Sequence, residues 1–303
     1  MKNFFRIYFI LTVFLLPNIS QACDICGCSA GGMYVGILPQ FQQHFVGLRY
    51  QFRQFYSKHI VNNYPVFSSD RFHSVELWGR FYPHRKVQVM AFMPLNIFSK
   101  DESNRITQTI GQGDLLVMAN YLAVNTADTI ISWWKHNLMV GGGLKLPTGE
   151  FNHYRNDSLL NPNLQSGTGS WDFLVNGNYT VRYKKIGLNI EANARFTTSN
   201  VHGYRFGHRF NGAMRLFMWT KIKKTSFVPH VGLLIDFSMK DRKKNLIVPE
   251  TGGMSLSPQA GLDIYIMGKW MIGASVSHAM WENLGGGLIS SGWRAQIQTS
   301  FLF

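Results

Sequence analysis

Cys23, Cys26 and Cys28 lie within one short stretch, CDICGC, and are all the cysteines of the 303-residue chain. The first two have C-x-x-C spacing and the third follows after a single glycine. Three closely spaced thiolates suit a soft ion such as Cu(I) or Zn(II), and Gly27, Gly31 and Gly32 would let the sulfurs converge. A competing reading is a Cys23–Cys26 or Cys26–Cys28 disulfide with one spare thiol in an oxidising compartment. Redox exchange is a third, although no thioredoxin-like context surrounds the motif. No second cysteine cluster exists to complete a four-sulfur site.

Elsewhere the reactive residue types are scattered. The ten histidines fall singly along the chain, His202 and His208 being the closest pair. There is no HExxH spacing, no Gly-Lys-Ser phosphate loop and no nucleophile elbow around a serine. The chain therefore reads as a non-enzyme. A hydrolase triad dispersed over barrel strands is the catalytic alternative that leaves no local signature.

The elements that would position such residues begin with an export signal. Lys2 and Arg6 precede an apolar run from Ile7 to Leu16, followed by Pro17 and the small residues Ser20 and Ala22. This is the pattern of a secretory signal peptide over residues 1–22, with Cys23 as the mature N-terminus. Residues 23–43 form a cysteine-containing N-terminal segment, and 44–303 a single domain. After the signal, no stretch approaches the roughly 18 apolar residues that a spanning helix needs. A membrane-spanning chain of this kind must be a closed β-barrel, because lipid leaves unpaired backbone groups unsatisfied. Mean hydropathy is only −0.06, yet Phe (23), Tyr (12), Trp (8) and Gly (29) are abundant, a mixture that suits strands with aromatic girdles.

The final residues, Ser291–Phe303, show the strand pattern most clearly. Trp293, Ala295, Ile297, Thr299, Phe301 and Phe303 share one parity, while Arg294, Gln296, Gln298 and Ser300 share the other. Strand side chains alternate with period two, so one face is apolar and the other polar. Leu302 is expected to break the alternation at the membrane interface. About twelve such segments follow one another from His44–Tyr56 to Gly292–Phe303, or fourteen strands if Met33–Gln40 also pairs. Their connections alternate. Long ones span Ser57–Arg71, Ser99–Gly113, Pro147–Gly169, Ser199–Phe206, Met239–Met254 and Glu282–Ser291. Short ones centre on Pro83–Arg85, Asn125–Thr129, Lys184–Lys185, Lys223–Lys224 and Gly268–Trp270. Short turns at one rim and long loops at the other define an all-β, antiparallel transmembrane barrel of about twelve strands. An even count puts both termini on the short-turn side, in the periplasm.

The polar parity faces inward in this reading and carries charge of both signs: Arg49, Arg53, Glu76, Arg80, Asp114, Asp172, Arg182, Glu191, Arg195, Arg215, Asp236, Asp263 and Arg294. Such a set either selects solutes by charge along a pore or cross-links a narrow lumen. The net charge of +14 does not argue for nucleic acid in an exported chain whose basic clusters are confined to Lys221–Lys224 and Lys240–Lys244. Basic residues in turns suit anionic lipid head groups.

Residues 141–173 carry a family resemblance. GGGLKLPTGEFN at Gly141–Asn152, followed by GTGSWDF at Gly167–Phe173, is similar to the outer-membrane family named after the meta-pathway of phenol degradation. The match rests on Lys145, Leu146, Pro147, Thr148 and Gly149, then Gly169, Ser170 and Asp172. The resemblance implies a transporter-like outer-membrane barrel with no assigned substrate, and the cysteine stretch is not part of its pattern. Pro147 would end a strand's hydrogen-bond ladder and Gly149 would permit the turn that follows.

These readings converge on an outer-membrane channel for a small solute. Its partners would be outer-membrane lipid and the barrel-assembly machinery, engaged through the C-terminal strand. The alternatives are a metal-handling barrel using Cu(I) or Zn(II) at the cysteines, and a structural barrel closed by its own charges.

Overall fold

Period-two alternation becomes twelve antiparallel strands in the structure, a computed structural model describing residues 42–303 apart from 62–63, 103–104, 127–132, 156–157 and 160. The first half supplies β1 (Phe45–Val61), β2 (Tyr64–His84), β3 (Val87–Glu102), β4 (Leu116–Asn125), β5 (Trp134–Lys145) and β6 (Asp172–Tyr183). The second supplies β7 (Ile186–Thr197), β8 (Arg209–Met218), β9 (Thr225–Ser238), β10 (Gly253–Ile266), β11 (Trp270–His278) and β12 (Ile289–Leu302). Each pairs with the next, from β1–β2 through β11–β12. β12 then pairs with β1, Phe45 opposite Leu302 and Arg53 opposite Arg294, so the sheet closes. Closure leaves no edge of unpaired N–H and C=O groups facing lipid, which is what makes the fold viable in a bilayer.

The two faces separate as the pattern requires. Leu48, Leu77, Met93, Val175, Ile190, Val231, Ile272 and Ile297 are exposed on the outer surface. Aromatic residues gather at both ends of this band. Phe81, Trp134, Tyr183, Trp270 and Phe303 lie toward the short turns, and Trp171, Phe196, Trp281 and Trp293 toward the long loops. Such girdles sit where amphipathic rings meet lipid head groups.

The expected strands are all present, but two expected loops are not loops. Ser57–Arg71 and Ser99–Gly113 are largely paired backbone. β1 and β2 remain in register out to Val61 and Tyr64, and Arg105–Gln112 pairs with the far end of β3. With 21 residues at about 3.3 Å each, β2 is roughly twice as long as a bilayer crossing needs, so this hairpin stands above the long-loop rim. Trp281–Leu284 likewise pairs with β10 within the expected Glu282–Ser291 connection. A small sheet of Tyr204–Arg205, Arg242–Lys243 and Leu246–Ile247 joins two more of the long connections. The further strand suggested at Met33–Gln40 lies outside the described residues.

The interior has three layers. Toward the short turns Phe45, Trp78, Met90, Phe92, Phe217, Val228, Tyr265, Met271 and Leu302 form one apolar cluster. Phe45 meets Trp78 edge to face at 4.5 Å between ring centroids. Toward the long loops Phe55, Phe72, Phe98, Leu164, Leu284 and Ile289 form a second. Charged and amide side chains fill the space between. Leu302 corrects the sequence expectation. The strand does not lose its alternation there; Leu302 is 2% exposed and points inward because the lumen itself is apolar at that end.

Candidate functional site

The middle layer is built from inward-facing side chains that bring opposite charges together, on neighbouring strands and between strands further apart. Arg49 on β1 lies opposite Glu76 on β2 and forms an ion pair with it. The Arg49 guanidinium also lies 4.9 Å from the Trp78 ring and 5.4 Å from the Phe92 ring, resting on the apolar cluster below. Arg215 on β8 donates to Glu191 Oε2 at 3.2 Å, to Asn189 Oδ1 at 3.3 Å and to Gln259 Oε1 at 3.1 Å. Arg294 on β12 donates to Asp236 Oδ2 at 2.6 Å, and Asn211 donates to the other oxygen of that carboxylate at 2.6 Å. Asp263 accepts from Gln298 at 3.5 Å and lies 3.9 Å from His230 Nε2.

The other inward arginines take individual places. Arg80 donates from Nε to the Gln43 carbonyl at 3.0 Å and lies over the Phe45 ring. Arg182, half-buried, faces the Trp219 ring at 5.8 Å. Arg195 is half-buried on the same face of β7 as Glu191. Arg53 and Arg294 line one small cavity with Gln51, Gln259, Ser277 and Gln296. The expected inward residues that lie on strands are buried or half-buried. The structure joins Arg49 to Glu76, Arg215 to Glu191 and Arg294 to Asp236, and sets Arg80 over Phe45 and Arg182 toward Trp219.

A second centre sits where β5 and β6 meet the long-loop rim. Lys145 Nζ lies 2.6 Å from Asp114 Oδ2 and 3.5 Å from Asp172 Oδ2, and donates to the Ser170 carbonyl at 2.8 Å and to Thr168 Oγ1. Asp114 in turn accepts from the backbone N–H of Gly149 at 3.0 Å, the N–H of Thr168 at 3.0 Å and the Thr168 hydroxyl at 2.6 Å. Ser170 Oγ donates to Asp172 at 3.4 Å, and Thr148 Oγ1 accepts from the Leu115 N–H at 2.9 Å. The Lys-Leu-Pro-Thr-Gly stretch thus has a physical reason for its residue types. Pro147 leaves the ladder, and Thr148 caps the neighbouring chain. Gly149 must approach backbone closely, since a Cβ there would come within 2.8 Å of Gly167 Cα and 2.7 Å of Gly113 C.

This knot turns the long connection after β5 inward. Asn163, Leu164, Gln165 and Ser166 are all buried. Asn96 on β3 donates to the Ser166 carbonyl at 2.9 Å, and Leu164 joins the upper apolar cluster. Parity could not have announced Thr168 or Ser166, which lie in irregular chain. Asn189, Asn211 and Gln298 were visible only as polar members of the inward face.

The charged pairs of the middle layer are almost wholly buried. Arg49, Glu191 and Arg215 are 2%, 2% and 3% exposed. Side chains lining a water-filled pore would touch solvent; these touch one another. The cavity beside Arg53 and Arg294 measures about 50 Å³, and one among Arg80, Gln88, Asn120 and Glu191 about 10 Å³, room for a few waters and for one. Among the described residues no three His, Cys, Asp or Glu side chains gather as a metal site. Cys23, Cys26 and Cys28 lie outside the described residues, as does the signal segment.

The fold and this lumen define a class, the closed transmembrane β-barrels of outer membranes. No family model and no curated protein match the chain. Among solved structures it is similar to the COG4313 outer membrane channel from Pseudomonas putida F1, with a TM-score of 0.63 and 13% identity over 92% of this chain and 100% of that one. It is more distantly similar to the β domain of the Bordetella autotransporter BrkA, with a TM-score of 0.47 and 10% identity over 86% of this chain and 99% of that one. The likeness to the first is one of fold, and it places a channel of the outer membrane among the relatives in shape.

Proposed function

We propose that this protein is an outer-membrane channel for a small polar or anionic solute, and that it rests closed. The observation that carries the reading is the charged layer across the middle of the lumen. Twelve strands with an apolar interior would make a plain structural cylinder. Here Arg49, Arg53, Arg80, Arg182, Arg195, Arg215 and Arg294 share the interior with fewer carboxylates, a surplus that favours negative solutes. The connection held by Asp114 and Lys145 lies over this layer and is the part whose release would widen it. With an even number of strands the two ends of the barrel lie at the short-turn rim, and we place that rim in the periplasm. The resemblance at Lys145–Gly149 and Ser170–Asp172 supports the same reading, as does the likeness to a solved outer-membrane channel.

The second reading is a structural barrel, favoured by the near-complete burial of Arg49, Glu191 and Arg215. Planar-bilayer recording separates the two. The channel reading expects brief, anion-selective openings from the wild-type protein and longer ones from Asp114→Asn. Silence from both, with folding shown by heat-modifiable gel mobility, would leave the structural barrel.

A further inference from the structure

The short-turn rim carries a second feature that the channel reading does not use. Every described turn there bears exposed basic residues: Arg85 and Lys86, Lys184 and Lys185, Lys223 and Lys224, and Lys269. None of these turns contains Asp or Glu, and none of these side chains makes an ion pair among the described residues. The long-loop rim differs, since Asp101, Glu102, Glu150 and Glu250 are interspersed with its lysines.

The backbone beneath these charges is fixed. Carbonyls of Lys86, Lys185, Lys224 and Lys269 each accept from the next strand, from Leu122, Trp219, Met267 and Leu302 at 2.6–2.9 Å. The turns are therefore laced into a ring. Lys184 and Lys223 adopt left-handed backbone, with φ of 52° and 53°. Glycine or asparagine would fill those positions with less steric cost. Lysine holds both, so the turn geometry does not account for the residue type. Just inside the ring lie Trp134, Tyr183 and Trp270, exposed on the lipid face, and the Lys184 ammonium lies 5.3 Å from the Tyr183 ring. The aromatic girdle fixes the ring's depth at the level of lipid phosphates.

We propose that this rim is a binding surface for the phosphate head groups of anionic phospholipids in the leaflet it faces. Each lysine near such a surface contributes an attraction equivalent to about fivefold in binding. Together the turns would hold anionic lipid around the barrel's short-turn end in preference to zwitterionic lipid. A stably seated lipid ring would also fix the barrel's depth.

The test is native mass spectrometry of the full-length barrel purified from membranes, titrated with phosphatidylglycerol or phosphatidylcholine. The wild-type protein is expected to retain phosphatidylglycerol adducts at least about tenfold more strongly, with the preference falling as salt rises. The K184Q/K185Q/K223Q/K224Q variant is expected to lose most of that preference while keeping its heat-modifiable mobility. As a second variant, K240Q/K243Q/K244Q removes charge from the long-loop side and is expected to leave the preference intact. Equal retention of the two lipids by the wild type would overturn the proposal. So would a preference that survives the turn variant or disappears in the loop variant.

Discussion

Lys145 stands between two carboxylates, 2.6 Å from Asp114 and 3.5 Å from Asp172, and the first of these also grips the backbone of Gly149 and Thr168. One cation thereby joins β5, β6 and both ends of the connection that folds into the lumen. A buried cation left with a single carboxylate is costly, so the arrangement holds only while all parts are in place.

Replacing Asp114 by Asn removes the shorter ion pair and leaves the Lys145 ammonium less compensated. Breaking a buried pair in this way costs about 3–5 kcal/mol. Urea unfolding in lipid vesicles, compared with wild type, measures the loss. A change below about 1 kcal/mol would mean that the loop is held by other contacts.

Gly149 and Gly167 cross at van der Waals distance, and a Cβ on Gly167 would come within 2.5 Å of Gly149 C. Gly167→Ala should destabilise the protein by about 1–3 kcal/mol through overpacking. It should also expose the connection to added protease before the strands unfold. Cleavage confined to residues 150–167, with the barrel still folded, is the expected pattern on a gel.

Arg294 and Asp236 are 2.6 Å apart inside the lumen, from β12 and β9. A double-mutant cycle with Arg294→Gln and Asp236→Asn should return a coupling of about 0.5–3 kcal/mol. Additive single effects would mean that water, rather than the partner, satisfies each group.

Asp241 lies in the connection between β9 and β10, buried, and accepts from the Tyr204 hydroxyl at 2.6 Å and the Gly207 N–H at 2.7 Å. Burial pushes its pKa upward from 3.8, outweighing these two hydrogen bonds, which act the other way. The folded loop thus binds its proton more tightly than the unfolded chain does. Its contribution to stability is complete below the ordinary carboxylate value and is lost as pH rises through the raised one. Hydrogen exchange at 239–252, corrected for intrinsic rate, should therefore quicken with pH over that window, and Asp241→Asn should flatten the dependence.

The metal-handling alternative for Cys23, Cys26 and Cys28 expects one soft ion per chain, and the disulfide reading expects none. On the first, purified mature protein should bind Cu(I) or Zn(II) stoichiometrically and lose it on Cys26→Ser; thiol titration showing a disulfide and no bound metal would favour the competing reading.

Much of this molecule was legible in its residue order. The parity of Leu188–Thr197 separated Glu191 and Arg195 from Ile190 and Phe196, and the barrel places them on opposite faces as expected. Loop lengths gave the strand order because antiparallel neighbours need only short turns on one side. Ser57–Arg71 and Ser99–Gly113 misled because polar alternation outside the bilayer resembles loop composition; only pairing with a neighbour tells an extended hairpin from a loop. Leu302 misled for a related reason. Its apolar side chain looked like a lost alternation until Phe45, Met271 and Tyr265 joined it in one inward apolar cluster.

The sequence by itself determined the strand count, the side of the wall each residue faces and the charges available to the interior, because period two is a property of local backbone geometry. Only the tertiary structure decided which charges meet. Arg215 with Glu191, Arg294 with Asp236 and Lys145 with Asp114 are separated by 24, 58 and 31 positions. Their partnership depends on register, tilt and the inward turn of one connection. These are set by the closure of the whole sheet, which no short stretch of residues encodes.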